Sequence, residues 1–155
     1  MEKIPITKDG LDRLRQELNR LVIVERPQNI EAIAEARGHG DISENAEFNA
    51  AKERQSFLQR KIDELKSVIS SSEVIDVEET PTDRVTFGRT VLLYNVQTDE
   101  EVAYRLVGPY EADPKKGTIS VKSPLGQALI GRQGHDAVQV KAPGGIQEYE
   151  ILDIR

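Results

Sequence analysis

Seven positions of one run, Phe48, Ala51, Gln55, Leu58, Ile62, Leu65 and Ile69, alternate steps of three and four residues without a slip. A helix with that spacing carries one narrow apolar stripe, which is buried well only against a second helix with a matching stripe. The matching run lies upstream. Leu11, Leu14, Leu18 and Leu21 keep the same steps, behind Thr7 as a candidate N-cap. Pro27 has no backbone N–H to give and should bend or break this first run, after which Ile30, Ile33 and Ala34 continue an apolar face up to Gly38. The pattern predicts two helices joined by a short glycine-containing turn and paired antiparallel as a coiled-coil hairpin. At ~1.5 Å rise per residue, about 30 residues give an arm of roughly 45 Å. Gln55 is the one polar intruder in the second stripe.

Beyond Ser70-Ser71-Ser72 the helical pattern stops, and residues 77–83 read as a linker that is polar, β-branched and broken by Pro81. The period then changes to two. Strands are expected at 89–95, 102–107, 118–121, 137–141 and 146–154, with Pro143-Gly144-Gly145 as the turn between the last two. One short helix fits between Ser123 and Ile130, with Ser123 as N-cap, Pro124 at the first helical position and Gly131 as the stop. The fold class is therefore α+β. A coiled-coil hairpin over 1–76 and a linker over 77–83 precede a small, mostly antiparallel sheet packed on one helix over 84–155.

Composition suits that division. A hydrophobic content of 37% and only seven aromatic side chains, none of them Trp, are thin for one globule but adequate for a wet hairpin beside a small core. No cysteine is present, which excludes disulfides, thiol catalysis and cysteine-type zinc sites. No apolar run approaches a signal peptide or a membrane span, so a soluble cytoplasmic protein with no membrane role is expected. The net charge of −6 is shared evenly. Residues 1–76 hold 12 Lys/Arg against 15 Asp/Glu, and residues 77–155 hold 9 against 12. Binding to bare nucleic acid is driven mainly by phosphate neutralisation, so neither half looks built for it alone. Any such role would pass through a protein partner.

The chemistry concentrates at the turn. Asp41 and Glu44, three residues apart at a helix start, occupy neighbouring positions on one face. One reading is a capping box, with Asp41 as N-cap and acids favouring the helix dipole. The other is a pair of oxygen ligands for a hard cation such as Mg²⁺, which commonly takes one or two protein carboxylates plus water and substrate phosphate. Both can hold in different states. Glu47 reads first as a solvated helix position and Phe48 as the start of the seam, although an aromatic beside an exposed tip also suits a base or a partner. Arg37 and Lys52 flank the turn and offer a patch attractive to phosphate. His39 has no second ligand nearby. Neither half shows a nucleophile–base pair, a phosphate-binding glycine loop or a complete metal cluster, so the chain does not read as an enzyme in its own right.

Two separated segments resemble signatures of the GreA/GreB bacterial transcript-cleavage factors, most closely the GreA branch. The first is 32–41 with 43–48, Ala-Ile-Ala-Glu-Ala-Arg-Gly-His-Gly-Asp and Ser-Glu-Asn-Ala-Glu-Phe. The second comprises Ile119-Ser120-Val121-Lys122-Ser123-Pro124-Leu125, Leu129-Ile130-Gly131 and Ala142-Pro143-Gly144-Gly145. The resemblance covers essentially the whole chain. It implies an FKBP-like second domain that docks on RNA polymerase near its secondary channel, and a hairpin that enters the channel as part of a monomer. It further implies that Asp41 and Glu44 help hold a second Mg²⁺ in the polymerase active centre, with none bound stably by the free protein. Backtracked nascent RNA would then be cut near its 3′ end by the polymerase itself. By the same resemblance Arg37, Phe48 and Lys52 face the RNA and the tip, with Lys52 standing where arginine is commoner. Ser123 and Pro124 belong to the docking loop, and Lys122 replaces a polar or acidic residue there.

Three other readings compete. A Gre-fold inhibitor would occupy the channel without stimulating cleavage, but such relatives carry a more heavily acidic tip. A prolyl isomerase needs an aromatic-walled pocket, for which the second half offers only Phe87, Tyr94, Tyr104, Tyr110 and Tyr149. A plain coiled-coil adaptor, paired between chains, would leave the acidic tip without a purpose.

Overall fold

The computed structural model describes residues 3–38, 46–77 and 82–155. Asp41 and Glu44 lie outside these residues. The chain divides into two compact units, one of residues 11–71 and one of residues 1–10 with 72–155.

The helical unit is an antiparallel pair. Helix α1 (Lys8–Arg20) runs into a five-residue π-helical segment (Leu21–Glu25) and then α2 (Arg26–Gly38), and α3 (Ala46–Ser71) packs against all of them. Leu21, Leu58, Ile62 and Leu65 form its core, with Leu14, Leu18 and Val22 packed around them. Pro27 does not break the helix. In the π-helical segment the Arg26 N–H reaches back five residues to the Leu21 carbonyl, and this widened turn inserts one extra residue ahead of the proline. The insertion shifts the seam. Continued without it, the spacing of Leu11, Leu14, Leu18 and Leu21 would bury Glu25, Gln28, Ala32 and Glu35. Advanced by one residue, the seam falls on Arg26, Asn29, Ile33 and Ala36, all half-buried or buried, whereas Gln28, Ala32 and Glu35 are exposed and only Glu25 of the unshifted frame stays half-buried. The expected apolar face is corrected accordingly: Ile33 keeps its place, but Ile30 is 53% exposed and Ala34 is exposed, while Asn29 is buried. On α3 the expected stripe holds through Leu65, after which Val68 is buried and Ile69 only half-buried.

The second unit holds a five-stranded sheet of β3 (Thr90–Asn95), β4 (Glu100–Val107), β5 (Thr118–Ser120), β6 (Ala137–Ala142) and β7 (Gly145–Ile154), in the order β5-β4-β3-β7-β6. All neighbours are antiparallel except β4 and β5. The register of β3 on β7 shifts at Leu92/Leu93, a bulge in the middle of the sheet. Alternate residues Val91, Leu93, Leu106, Val138, Val140 and Ile151 point to one core, against Leu129 of α4 (Pro124–Leu129). The five strands and the helix lie within a few residues of their expected positions.

Two features of this unit are not apparent from the pattern. Residues 4–6 form a strand, β1 (Ile4–Ile6), paired in parallel with β2 (Ser72–Val74), so both ends of the expected 1–76 hairpin belong with the sheet unit. The stretch expected as a linker also begins inside it. Val77 accepts a hydrogen bond from Arg89 Nη2 at 2.9 Å and packs on Gly88, whose φ of +84° leaves no room there for a Cβ. The second feature is Glu111. Its Oε2 accepts from the Thr7 N–H at 2.8 Å and the Gly108 N–H at 2.9 Å, and its Oε1 accepts from the Thr7 hydroxyl. Thr7 Oγ1 in turn accepts from Gly10 N–H at 3.0 Å, the capping bond its position suggested. A Cβ at Gly108 would lie 2.0 Å from the Pro5 carbonyl oxygen and one at Gly10 would lie 2.2 Å from Glu111 Oε1, so both glycines are required by close approach.

Glu111→Ala is expected to destabilise this unit by about 2–3 kcal/mol, the scale of losing several charge-assisted hydrogen bonds at a partly buried site. Urea unfolding measures the loss, and faster amide exchange at Thr7 and Gly108 identifies it as local.

Candidate functional site

Arg37 stands in the last turn of α2 and Phe48 and Lys52 in the first two turns of α3. A cation at a helix C-terminus complements the dipole, as does Glu47 at the start of α3. The antiparallel pairing brings three of these side chains together. Arg37 Cζ lies 5.8 Å from the centroid of the Phe48 ring and Lys52 Nζ lies 5.9 Å from it. Phe48 is half-buried while both cations are exposed, so the ring is a shared platform that holds two positive charges in solvent. Each contact is worth about 0.5–1 kcal/mol at such a site, enough to bias the two chains towards the ring. The arrangement can attract an anion and offer an aromatic edge beside it. Of the five tip residues expected to act, these three are brought together, and Asp41 and Glu44 belong to the intervening segment outside the described residues.

Below this cluster the seam is polar. Asn29 Nδ2 donates to the Ala51 carbonyl and to Gln55 Oε1, both at 2.9 Å. Gln55, the polar intruder of the stripe, has its partner there. Glu25 then bridges Arg20 and Arg54, at 2.6 and 2.7 Å. Asn29 was missed by the sequence reading because the π-helical insertion is not visible in the spacing. The signal that would have exposed it is the polarity of Glu25, Gln28 and Glu35 in the unshifted frame.

In the sheet unit Ser123 caps α4, as expected. Its Oγ accepts from Gly126 N–H at 3.1 Å and donates to the Ser120 carbonyl at 2.6 Å. The hydroxyl is thus committed to the loop, while Pro124 is exposed. A cleft of about 300 Å³ opens beside them. Ser123, Pro124, Leu125, Ala142, Pro143 and Tyr149 are among the residues that line it, so two separated sequence motifs converge on one surface feature. Lys122 is exposed next to it. Among the described residues no three His, Asp or Glu side chains cluster to hold a metal, and no helix is long and apolar enough to cross a membrane.

Comparison with known proteins places this architecture. Residues 4–74 match the family model described as "Transcription elongation factor, N-terminal", and residues 80–155 match "Transcription elongation factor, GreA/GreB, C-term". The chain belongs to the GreA/GreB family of transcription elongation factors. It is 53% identical to the transcription elongation factor GreA of Rhodospirillum rubrum, over 100% of this chain and 99% of that protein. It is likewise 53% identical to GreA of Anaeromyxobacter sp. (strain K), over 99% and 93%. Solved structures similar to the chain include GreA factor homolog 1 of Thermus thermophilus, 24% identical over 99% of both chains with a TM-score of 0.47. Another is a GreA/GreB factor from Nitrosomonas europaea, 25% identical over 98% of both with a TM-score of 0.43.

Tyr149, on the wall of the cleft, is perturbed. Burial, with the neighbouring Tyr104 adding to it, pushes its phenol above the ordinary value of 10.0, and its hydroxyl donates to Gln147 Oε1 at 2.9 Å. The folded protein holds this proton more tightly than the unfolded chain does. The corresponding stability is intact below the unfolded value and is lost as pH rises through the raised folded value. The thermal stability of the wild type is expected to fall above about pH 10, and that of Tyr149→Phe should fall less over the same range.

Proposed function

We propose that the chain binds RNA polymerase, places its hairpin tip in the secondary channel and stimulates the polymerase's own cleavage of backtracked nascent RNA. The observation that carries this reading is the convergence of Arg37 and Lys52 on Phe48, on either side of the seven residues that contain Asp41 and Glu44. Family membership supports it. The hairpin supplies an acidic segment flanked by a cationic, aromatic collar, which is a half-site and not a self-sufficient catalyst. Two carboxylates are hard oxygen donors and fit Mg²⁺, which needs further ligands that the polymerase and its RNA would provide. When bound, the ion supplies charge stabilisation and an activated water for phosphodiester hydrolysis.

The residues of this chain have separate tasks. Asp41 and Glu44 would hold the shared Mg²⁺ and help orient the attacking water. Arg37 and Lys52 attract the phosphates of the RNA 3′ end, and Phe48 fixes both cations and gives a base a surface to stack on. Pro124 and the cleft beside it meet the polymerase surface, with Ser123 keeping the loop in shape. The protein acts as a monomeric accessory factor in the cytoplasm and is not itself a nuclease.

Stalled, backtracked elongation complexes supplied with Mg²⁺ test this directly. The wild type is expected to shorten the RNA, while Asp41→Asn and Glu44→Gln bind polymerase equally well but cleave roughly 10²–10³-fold more slowly, the scale of losing one preorganised electrostatic group. A wild type that binds without stimulating cleavage would replace this reading with that of a channel-occupying inhibitor. Ser123→Ala is expected to cost about 1 kcal/mol of stability as a lost helix cap and to weaken polymerase binding without altering the cleavage rate at saturation, as a titration of the cleavage assay would show.

A further inference from the structure

We propose that Asn29 is a positioning residue, a polar clamp that fixes the register of α2 on α3 and thereby the placement of the tip. The inference rests on the cleavage reading above for its functional consequence, but its structural part stands on the hairpin alone.

The apolar core of the hairpin is confined to its lower part, where Leu21, Leu58, Ile62 and Leu65 meet. From Leu58 to the start of α3, Ala51 is the one buried side chain of that helix, and Asn29 is the one buried side chain of α2. Apolar packing is non-directional, and a seam that ends in alanine tolerates sliding. Asn29, only 5% exposed, supplies what that seam lacks. The Ala51 carbonyl can only accept, so it fixes which end of the Asn29 amide faces it, and Gln55 Oε1 takes the second N–H. Both amide protons are therefore satisfied in this register. Sliding α3 by one heptad would put the large Leu58 side chain in the place of Ala51 and Ile62, which has no acceptor on its side chain, in the place of Gln55, so the amide N–H held by Gln55 would be buried without a partner. Arg37 lies eight residues beyond Asn29 on α2, about two turns, and Phe48 and Lys52 each lie three residues before one of the clamp's acceptors on α3. The register at the clamp is thus the register at the Arg37–Phe48–Lys52 cluster.

The chain has no cysteine, so cysteines introduced at exposed Glu31 and Glu53 take a pair of spin labels uniquely. In the full-length protein, Asn29→Leu/Gln55→Leu is expected to raise or keep the melting temperature while broadening the distance distribution between the labels. In backtracked elongation complexes it should keep wild-type half-saturation within about two-fold and cleave roughly ten- to a hundred-fold more slowly, as displacement of a reacting group by about 1 Å can do. Asn29→Asp, matched in size but without the donor, should broaden the distribution in the same way. Gln55→Glu, which keeps an acceptor, should retain wild-type width and rate. A distribution as narrow without the clamp as with it overturns the proposal whatever the cleavage assay shows. A broadened distribution with an unchanged rate overturns the link to the tip. If the wild type itself fails to cleave, the reading of function falls, while the label distances still decide the clamp.

Discussion

A proline inside a helical arm leaves few ways to keep the arm continuous, and the way this chain takes sets everything above it. The π-helical segment at Leu21–Glu25 adds one residue before Pro27 and carries the helix through without a break. That one residue moves the buried face from Gln28, Ala32 and Glu35, which are exposed, to Asn29, Ile33 and Ala36. Glu25 stays half-buried, paired with Arg20 and Arg54. The hairpin beyond the proline exists in its observed register because of this insertion.

Such a seam changes character along its length. Large aliphatic side chains near the base give way to alanine and a paired amide, and then to a half-buried phenylalanine between two cations. The gradient has a physical reason. An exposed helical end cannot carry a wide apolar stripe without inviting association, so directional bonds replace apolar area where area is scarce. The sheet unit follows another logic. Its core is apolar and closed, and the polar group on which its edge depends is Glu111, which gathers Thr7 and Gly108. Thr7 is at once a cap for α1 and a ligand of Glu111, so a single carboxylate couples the start of the first helix to the loop after β4.

The sequence pattern was most informative where periodicity is long or turn chemistry is strict. The α3 stripe, the five strands and the Ser123–Pro124 helix start each follow from one local rule and were legible within a few residues. Asn29 was not, because a one-residue insertion alters phase without altering composition. Strand β1 was not, because three residues paired to a distant segment leave no periodic trace. The clustering of Arg37, Phe48 and Lys52 was half-legible. Their nearness to the turn could be read from the spacing, but that both cations share one ring depends on register, which only the pairing of the helices sets.

Register is therefore the link between the fold and the chemistry. Asp41 and Glu44 lie in the sequence between α2 and α3, and the described contacts that align those helices are on the helices themselves. The alignment comes from below, first from the insertion ahead of Pro27 and then from the amide pairing at Asn29. Each step passes on a constraint that the next cannot supply for itself. On the proposed function, a carboxylate pair offered to a partner's metal would have to arrive with the correct face forward, and a helix turned by one residue points roughly 100° away. The chain sets that alignment two turns before Arg37, with a buried amide where an aliphatic side chain would have packed as well but specified less.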